Sequence, residues 1–296
     1  MGYLKDELSG FVPVEQATEI MKDVARGSSI LRLSKVSNME SDTKKIPVMT
    51  EGAGAYWVGE GERIQTSKAG WIYPELKAKK LAVIIPVTNE KLKDTTIDVF
   101  TELKESIAEA FYKAIDAAAI FGTNSPFAKS IMSSIETAGN TVEIETNGAG
   151  KLDLDVSDAM ALVEEDGYDV NGFVARIGVK NSLRKLRDAN GNQLFATGVD
   201  GKEFYSQPIE FSRNGAWDKD KAEIIGGDFD KSLVGIRDGI EYTILTEATL
   251  EGTVDEDGKP ISLAEQDLIG IKATMRLAYL PIKDEAFCAV VPKAGA

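Results

Sequence analysis

The stretch GAGAYWVGEGERIQTSKAGWIYPELKAKKLAVIIPVT, Gly52 to Thr88, decides how the rest of the chain is read. It sets Tyr56, Trp57, Trp71 and Tyr73 among glycines and charges, and it holds two of the chain's three tryptophans. Its second half changes character. PELKAKK interleaves charge with Leu and Ala, the pattern of a solvated strand. LAVIIPVT is apolar on both parities, the pattern of a strand buried on both faces. Pro86 has no N–H for a ladder, so that strand belongs at a sheet edge or at a bulge. With TKKIPVMT as the opposite arm and Gly52, Gly54, Gly59 and Gly61 near the tip, the segment reads as a long two-armed β-hairpin. Its root lies in a core and its outer half in solvent; an arm of roughly fourteen residues at about 3.3 Å each projects on the order of 45 Å. Large aromatics on such an arm leave apolar area exposed in a monomer. Burying one Trp or Tyr is worth roughly 2–3 kcal/mol, so the economical reading is that another subunit covers them.

Around this hairpin the chain alternates helix and strand patterns. Residues 1–37 read as an arm with a short amphipathic stretch from Val14 to Ala25. TTIDVFTELKESIAEAFYKAIDAAAIF, residues 95–121, carries Phe100, Leu103, Ile107, Phe111, Ala114, Ala118 and Phe121 at three- and four-residue steps, one apolar stripe of a long helix. Thr95 or Thr96 can cap its start and Gly122 follows its end. Its alanine-rich last turns predict close packing on a sheet. LDVSDAMALVEEDGY predicts a short helix ended by Gly167, GFVARI a strand, and GVKNSLRKLRDANGN a helix and loop. KAEIIGGDFDKSLVGIRDGIEYTILTE predicts two or three strands, TVDEDGKP a tight acidic turn, and DLIGIKATMRLAYLPIKDEAFCAVV the closing strands. The order predicts an α+β protein with an inserted domain. No internal repeat is present.

Composition narrows the chemistry. The 296 residues are 43% hydrophobic and 28% charged, enough for one large domain or two modest ones. There is no histidine, which removes Ser-His-Asp and Cys-His catalysis and the His-based zinc sites. Cys288 is the only cysteine, so no intrachain disulfide forms, and its setting in EAFCAVV reads as a small buried hydrophobe. The net charge of -14, with a pI near 4.7, argues against gripping a phosphate backbone, which takes its affinity from Lys and Arg. No apolar run reaches eighteen residues. The first twenty residues lack the basic start and apolar core of a signal peptide, and Asp6 weakens the myristoylation cue at Gly2. A soluble protein made in the cytoplasm is expected.

Candidate motifs give way on inspection. GAGAYW has Trp57 where a dinucleotide fingerprint needs its third glycine, and no helix follows. IIGGDFD lacks the Lys-Ser/Thr of a phosphate loop and reads as a loop glycine pair. Setting Gly258 at position six of a calcium loop puts Thr253 first and Ala264 twelfth, so both end ligands are missing. Asp228 with Asp230, and Glu164 with Glu165 and Asp166, are paired carboxylates with no polar or aromatic constellation around them. Arg184, Lys185 and Arg187 read as an exposed face. No catalytic, cofactor-binding or metal-binding residue is assigned.

Four segments in order now carry a family resemblance. YWVGEGERIQTSKAGWIYPELKAKKLAVIIPVTNEKLKD is similar to the extended E-loop of the Hong Kong 97-like major capsid proteins of tailed bacteriophages. TTIDVFTELKESIAEAFYKAIDAAAIFGTN resembles their spine helix. NSLRKLRDANGNQLF, QPIEFS and IIGGDFDKSLVGIRDGIEYTI resemble the axial domain, and IKATMRLAYLPIKDEAFCAVV the closing strands of the peripheral domain. The resemblance implies an α+β Hong Kong 97-like fold with an N-terminal arm (1–37), an E-loop hairpin (38–85), a peripheral domain (86–135 and 268–296, with the spine helix at 95–121) and an axial domain (136–267). It implies a structural, non-enzymatic shell protein without cofactor, assembling with itself into pentamers and hexamers of an icosahedral head around double-stranded DNA.

In that setting Tyr56, Trp57, Glu60, Glu62, Arg63, Trp71 and Tyr73 are the expected inter-subunit contacts. The expected place is the virion, with assembly in the host cytoplasm. No sequence-specific nucleic-acid binding and no membrane are expected. Relatives that carry their own scaffold have a long additional N-terminal segment. Beginning at Met1 with a short arm, this chain is expected to use a separate scaffolding protein, or none, together with a portal. Some relatives cross-link through Lys and Asn side chains; Lys68, Lys77 and many Asn residues are present, and no pair of them aligns with that chemistry. Two alternatives stay open at this point: an encapsulin-type nanocompartment shell, which shares the fold but encloses a cargo enzyme, and a carboxylate-dependent hydrolase. A binding module is disfavoured by the long helix and the lack of repeats.

Overall fold

The computed structural model describes residues 27–51, 55–61, 63, 66–67, 70–90, 99–146, 150–187, 190–194, 203–254 and 258–293. The amphipathic stretch Val14–Ala25, the helix caps at Thr95 and Thr96, and Glu62 lie outside these residues.

In chain order, α1 (Ser29–Leu33) and β1 (Lys35–Asn38) lead into the hairpin strands β2 (Thr43–Lys45), β3 (Val48–Glu51), β4 (Gly70–Ile72), β5 (Glu75–Lys77) and β6 (Lys79–Thr88). Then come α2 (Val99–Phe121), α3 (Ile131–Ala138), β7 (Thr141–Glu143), α4 (Leu152–Glu165), β8 (Gly172–Arg176) and α5 (Val179–Lys185). β9 (Glu203–Phe204), β10 (Gln207–Ser212), β11 (Ile224–Gly227), β12 (Ser232–Leu245), β13 (Thr249–Val254), β14 (Pro260–Ser262), β15 (Leu268–Pro281) and β16 (Phe287–Val291) complete the chain.

The stripe of α2 follows the helical period. Ile107, Phe111, Ala118 and Phe121 are buried, and Leu103 packs against the same core. The buried surface is wider than the stripe alone, because Ala108, Ile115, Ala119 and Ile120 are covered too. Small residues on two sides of the helix let it press onto Ala273, Met275 and Leu277 of β15. Gly122 stops the helix in the left-handed region at φ +68°.

β15 is the centre of a four-stranded sheet ordered β1-β12-β15-β6. β12 and β15 run antiparallel from Ser232↔Pro281 to Leu245↔Gly270, with shifts at Ile236/Asp238 and Asp238/Glu241. β6 is the edge strand, as Pro86 requires. One expectation fails here. Leu81, Val83 and Ile85 face the core beneath α2, but Ile84 on the opposite face is 41% exposed, so LAVIIPVT is not buried on both faces. An apolar strand is buried twice only when a layer covers each face, and among the described residues only one layer does.

The second sheet, ordered β7-β16-β11-β8-β10-β9, is buried on both sides. Its residues alternate strictly: Val174, Ile225, Phe287 and Ala289 turn toward α2 and α3, while Phe173, Ile224, Cys288 and Val290 turn toward α4 and α5. IIGG is itself strand β11 rather than a loop glycine pair. A Cβ on Gly227 would stand 2.6 Å from the carbonyl oxygen of Ala286, so only glycine allows that approach. β12 joins the four-stranded sheet and β16 the six-stranded one, because long-range pairing and not sequence order chooses a strand's partner.

Candidate functional site

The hairpin is built in two steps. β2 pairs with β5 (Thr43↔Lys77, Lys45↔Glu75) and β3 pairs with β4 (Val48↔Ile72, Met49↔Trp71). Its root is fixed by one inward residue. Leu76 is fully buried among Met39, Ala278 and Leu280. Gly235 of β12 makes room for this contact: a Cβ there would overlap the sulfur of Met39 and stand 2.6 Å from Leu76 Cδ2. Around that plug, Asp42 forms ion pairs with Arg237 and Arg276, and its carbonyl accepts from Ala78 N at 2.8 Å. Ile46 N donates to Pro74 O at 3.1 Å. The base is therefore held by apolar packing, charge and backbone together.

Further out the packing ends. Trp57 is fully exposed at 104% of its reference area, and Tyr56, Trp71 and Tyr73 each present about half or more of their surface. Glu60 and Arg63 are exposed beside them. None of the four rings stacks on another ring among the described residues. Met49, Val58 and Ile72 add exposed apolar area that the aromatic pattern alone did not single out. Their signal was present in the sequence: VMTE and GWI put apolar residues on both faces of a two-stranded ribbon, and among the described residues no layer buries either face. Between root and tip, Glu75 sits 3.1 Å from Lys77 Nζ and 3.6 Å from Lys45 Nζ. The hydrogen bond and charge of Lys77, aided by Lys45, hold its carboxyl below the ordinary value.

A second constellation escaped the sequence reading. Asp116, in the apolar stripe of α2, is fully buried. Its Oδ1 accepts from Ser28 Oγ (2.6 Å) and Ile30 N (3.3 Å), and its Oδ2 accepts from Ser29 N (3.1 Å) and Asn214 Nδ2 (2.9 Å). Burial pushes its carboxyl upward, while these four donors favour the charged form. It ties the start of α1 and the loop after β10 to α2. The lone acid in KAIDAAAIF was the available clue.

Four titratable groups singled out by the sequence have defined places in the fold. Cys288 is buried and burial pushes its thiol up to about 12, which leaves it unreactive. Asp228 accepts from Asn171 Nδ2 at 3.0 Å and from Asp230 N at 3.1 Å, a turn cap. Asp166 accepts from Asn140 Nδ2 at 3.3 Å. Arg187 donates to the carbonyls of Arg184 and Leu186 at the end of α5. β13 and β14 flank residues 255–257, so the tight turn expected of TVDEDGKP lies outside the described residues.

With the geometry in hand, comparison with known proteins is specific. The model of the phage capsid family matches residues 9–291. A major capsid protein of Staphylococcus phage 80alpha is 36% identical over 294 residues, covering 98% of this chain and 87% of that protein. A solved structure from Microbacterium phage Oxtober96 superposes with a TM-score of 0.78 at 29% identity, covering 90% of this chain and 91% of the other. One from Mycobacterium phage Adephagia gives 0.76 at 27% identity, with 91% of each chain covered.

Proposed function

The chain belongs to the phage capsid family and serves as a major capsid protein, and from that premise we propose that it closes a shell through its hairpin. The protein is a structural component of the virion, of the Hong Kong 97-like type. The supporting observation is the contrast along one arm: a root stapled into its own subunit and a tip whose Trp57 is fully exposed among the described residues. Tyr56, Trp57, Glu60, Arg63, Trp71 and Tyr73, with Glu62 by its place in the sequence, make the contact with a neighbouring subunit. The neighbours form pentamers and hexamers.

The four-stranded sheet with α2 serves as the peripheral unit, and the six-stranded sheet with α4 and α5 as the axial unit that meets its copies at the capsomer centre. The protein works without catalysis and without a cofactor. It assembles in the host cytoplasm with a portal and a separate scaffolding protein. Its acidic charge suits a container that must not hold the double-stranded DNA moving into it. Neither the encapsulin nor the hydrolase alternative is favoured, since the relatives named above are phage proteins.

The test is negative-stain microscopy and light scattering on the purified chain, with and without Trp57→Ser and Trp71→Ser. Closed shells or capsomers lost in the variants at unchanged helix content support the reading. Shells that form equally well in both variants would sink it.

A further inference from the structure

We propose that Asn190 is a site of spontaneous covalent modification: its side-chain amide is lost to the nitrogen of Gly191, leaving aspartate or isoaspartate in the loop after α5. The chain holds four Asn-Gly pairs, beginning at Asn147, Asn171, Asn190 and Asn214, and the first lies outside the described residues. A glycine after asparagine carries no side chain to hinder attack by its own nitrogen. By sequence alone the pairs are therefore equivalent. The fold makes them unequal.

Two of the pairs are locked. Asn171 Oδ1 accepts from Phe229 N at 2.9 Å, and its Nδ2 donates to Asp228 at 3.0 Å. Gly172 is buried in β8 opposite Gly227, and a Cβ there would stand 3.2 Å from Phe229 Cδ2. Asn214 Oδ1 accepts from Ser212 Oγ and from Ala216 N, both at 3.0 Å, and its Nδ2 donates to Asp116 at 2.9 Å. At either site the amide carbon reaches the next nitrogen only after these bonds open.

Asn190 stands in a different setting. Asn190, Gly191 and Asn192 are exposed, and Gly191 turns at φ +83° with nothing within 4 Å of where a Cβ would sit. The Gly191 N–H has no hydrogen-bond partner among the described residues. The loop is tied at its base, where Arg187 bridges Gln193 and Leu194 N donates to Leu186 O at 3.2 Å. An exposed turn beyond such a tie opens at low cost, whereas strand β8 and the Asp116 cluster open with the core.

The step needs no co-reactant but water. The Gly191 nitrogen gives up its proton and bonds to Asn190 Cγ, the Cγ–Nδ2 bond breaks, and that nitrogen leaves as ammonia. The cyclic imide then takes up water at either carbonyl. One product is aspartate; the other is isoaspartate, whose main chain runs through the former side chain. Alkaline pH speeds ring closure, because the deprotonated amide is the attacking form. Either product adds a negative charge, and isoaspartate also lengthens the segment between Arg187 and Gln193 by a methylene.

Peptide mapping of the full chain tests this. The purified protein is incubated at mildly acidic and mildly alkaline pH, digested with pepsin in acid, and read by mass spectrometry and by isoaspartyl methyltransferase labelling. Conversion at Asn190 should run about thirtyfold to a hundredfold faster than at Asn171 or Asn214, the factor set by the hydrogen bonds that must open there. It should rise with pH, and Asn190→Gln should remove it. In urea the three rates should converge. Equal rates in the folded chain, or faster conversion at Asn171 or Asn214, would overturn the proposal. So would a ratio that persists in urea, since the fold would then have no part in it.

Discussion

The two ends of the hairpin are made of similar residues and do opposite work. At the root, Leu76 is fully buried and Gly235 is kept small so that Leu76 and Met39 can reach β12. At the tip, Trp57 offers its whole surface to solvent. Both are large apolar side chains of one excursion, Leu76 on β5 and Trp57 in the segment between β3 and β4. What separates them is whether the subunit supplies a second layer. The root stabilises one fold, and the proposed role of the tip is to gain its burial from a neighbour.

The sharpest way to break this comparison is to hollow the root. Leu76→Ala should cost about 2–5 kcal/mol of subunit stability, seen as a lower denaturation midpoint, because the cavity lies between elements that cannot collapse onto each other. A midpoint unchanged within error would mean that the hairpin base is not part of the cooperative fold. The converse holds at the tip. Trp57→Ser should leave the midpoint of the isolated subunit in place while weakening assembly by about 2–3 kcal/mol per contact. Light scattering against concentration measures the second quantity and urea denaturation the first.

Asp116 sharpens the contrast from within the subunit, since it is a polar anchor with no part in the outer surface. Asp116→Asn should cost about 1–3 kcal/mol, because the amide presents a donor to groups that are themselves donors. The pH dependence has a definite sign. Burial raises the native carboxyl above its ordinary 3.8, so the folded state holds the proton more tightly. The stability owed to this proton is complete below 3.8 and is lost as pH rises through the raised native value. Wild-type stability should therefore decline over that window relative to Asp116→Asn, and a parallel pair of curves would contradict the assignment. Least of all should come from Lys77→Ala. Its partner Glu75 is in open solvent, where an ion pair competes with water and salt, and no shift in midpoint beyond scatter is expected.

Much of this was legible in order and period. The spacing of Ile107, Phe111, Ala118 and Phe121 gave α2, and Pro86 placed β6 at an edge. Tyr56, Trp57, Trp71 and Tyr73, set among glycines and charges, marked the outward surface of the arm. The double-sided burial expected of LAVIIPVT was not met, because apolar character on two parities does not show whether two layers exist. The destination of IIGG was missed for a related reason. A glycine pair signals close approach as readily as a turn, and the approaching group here, Phe287, lies far along the chain.

By itself the sequence determined the local periodicities, the absence of histidine and of an intrachain disulfide, the acidic charge, and an arm rich in aromatics. Those follow from residue identity and near neighbours along the chain. Only the tertiary structure decided that β12 and β16 exchange sheets, that Asp116 gathers donors from two distant segments, and that an alanine-lined groove opens beside the lysines of β6. Each of these depends on which remote segments come together. That choice is made by packing summed over the whole core, which no window of sequence contains.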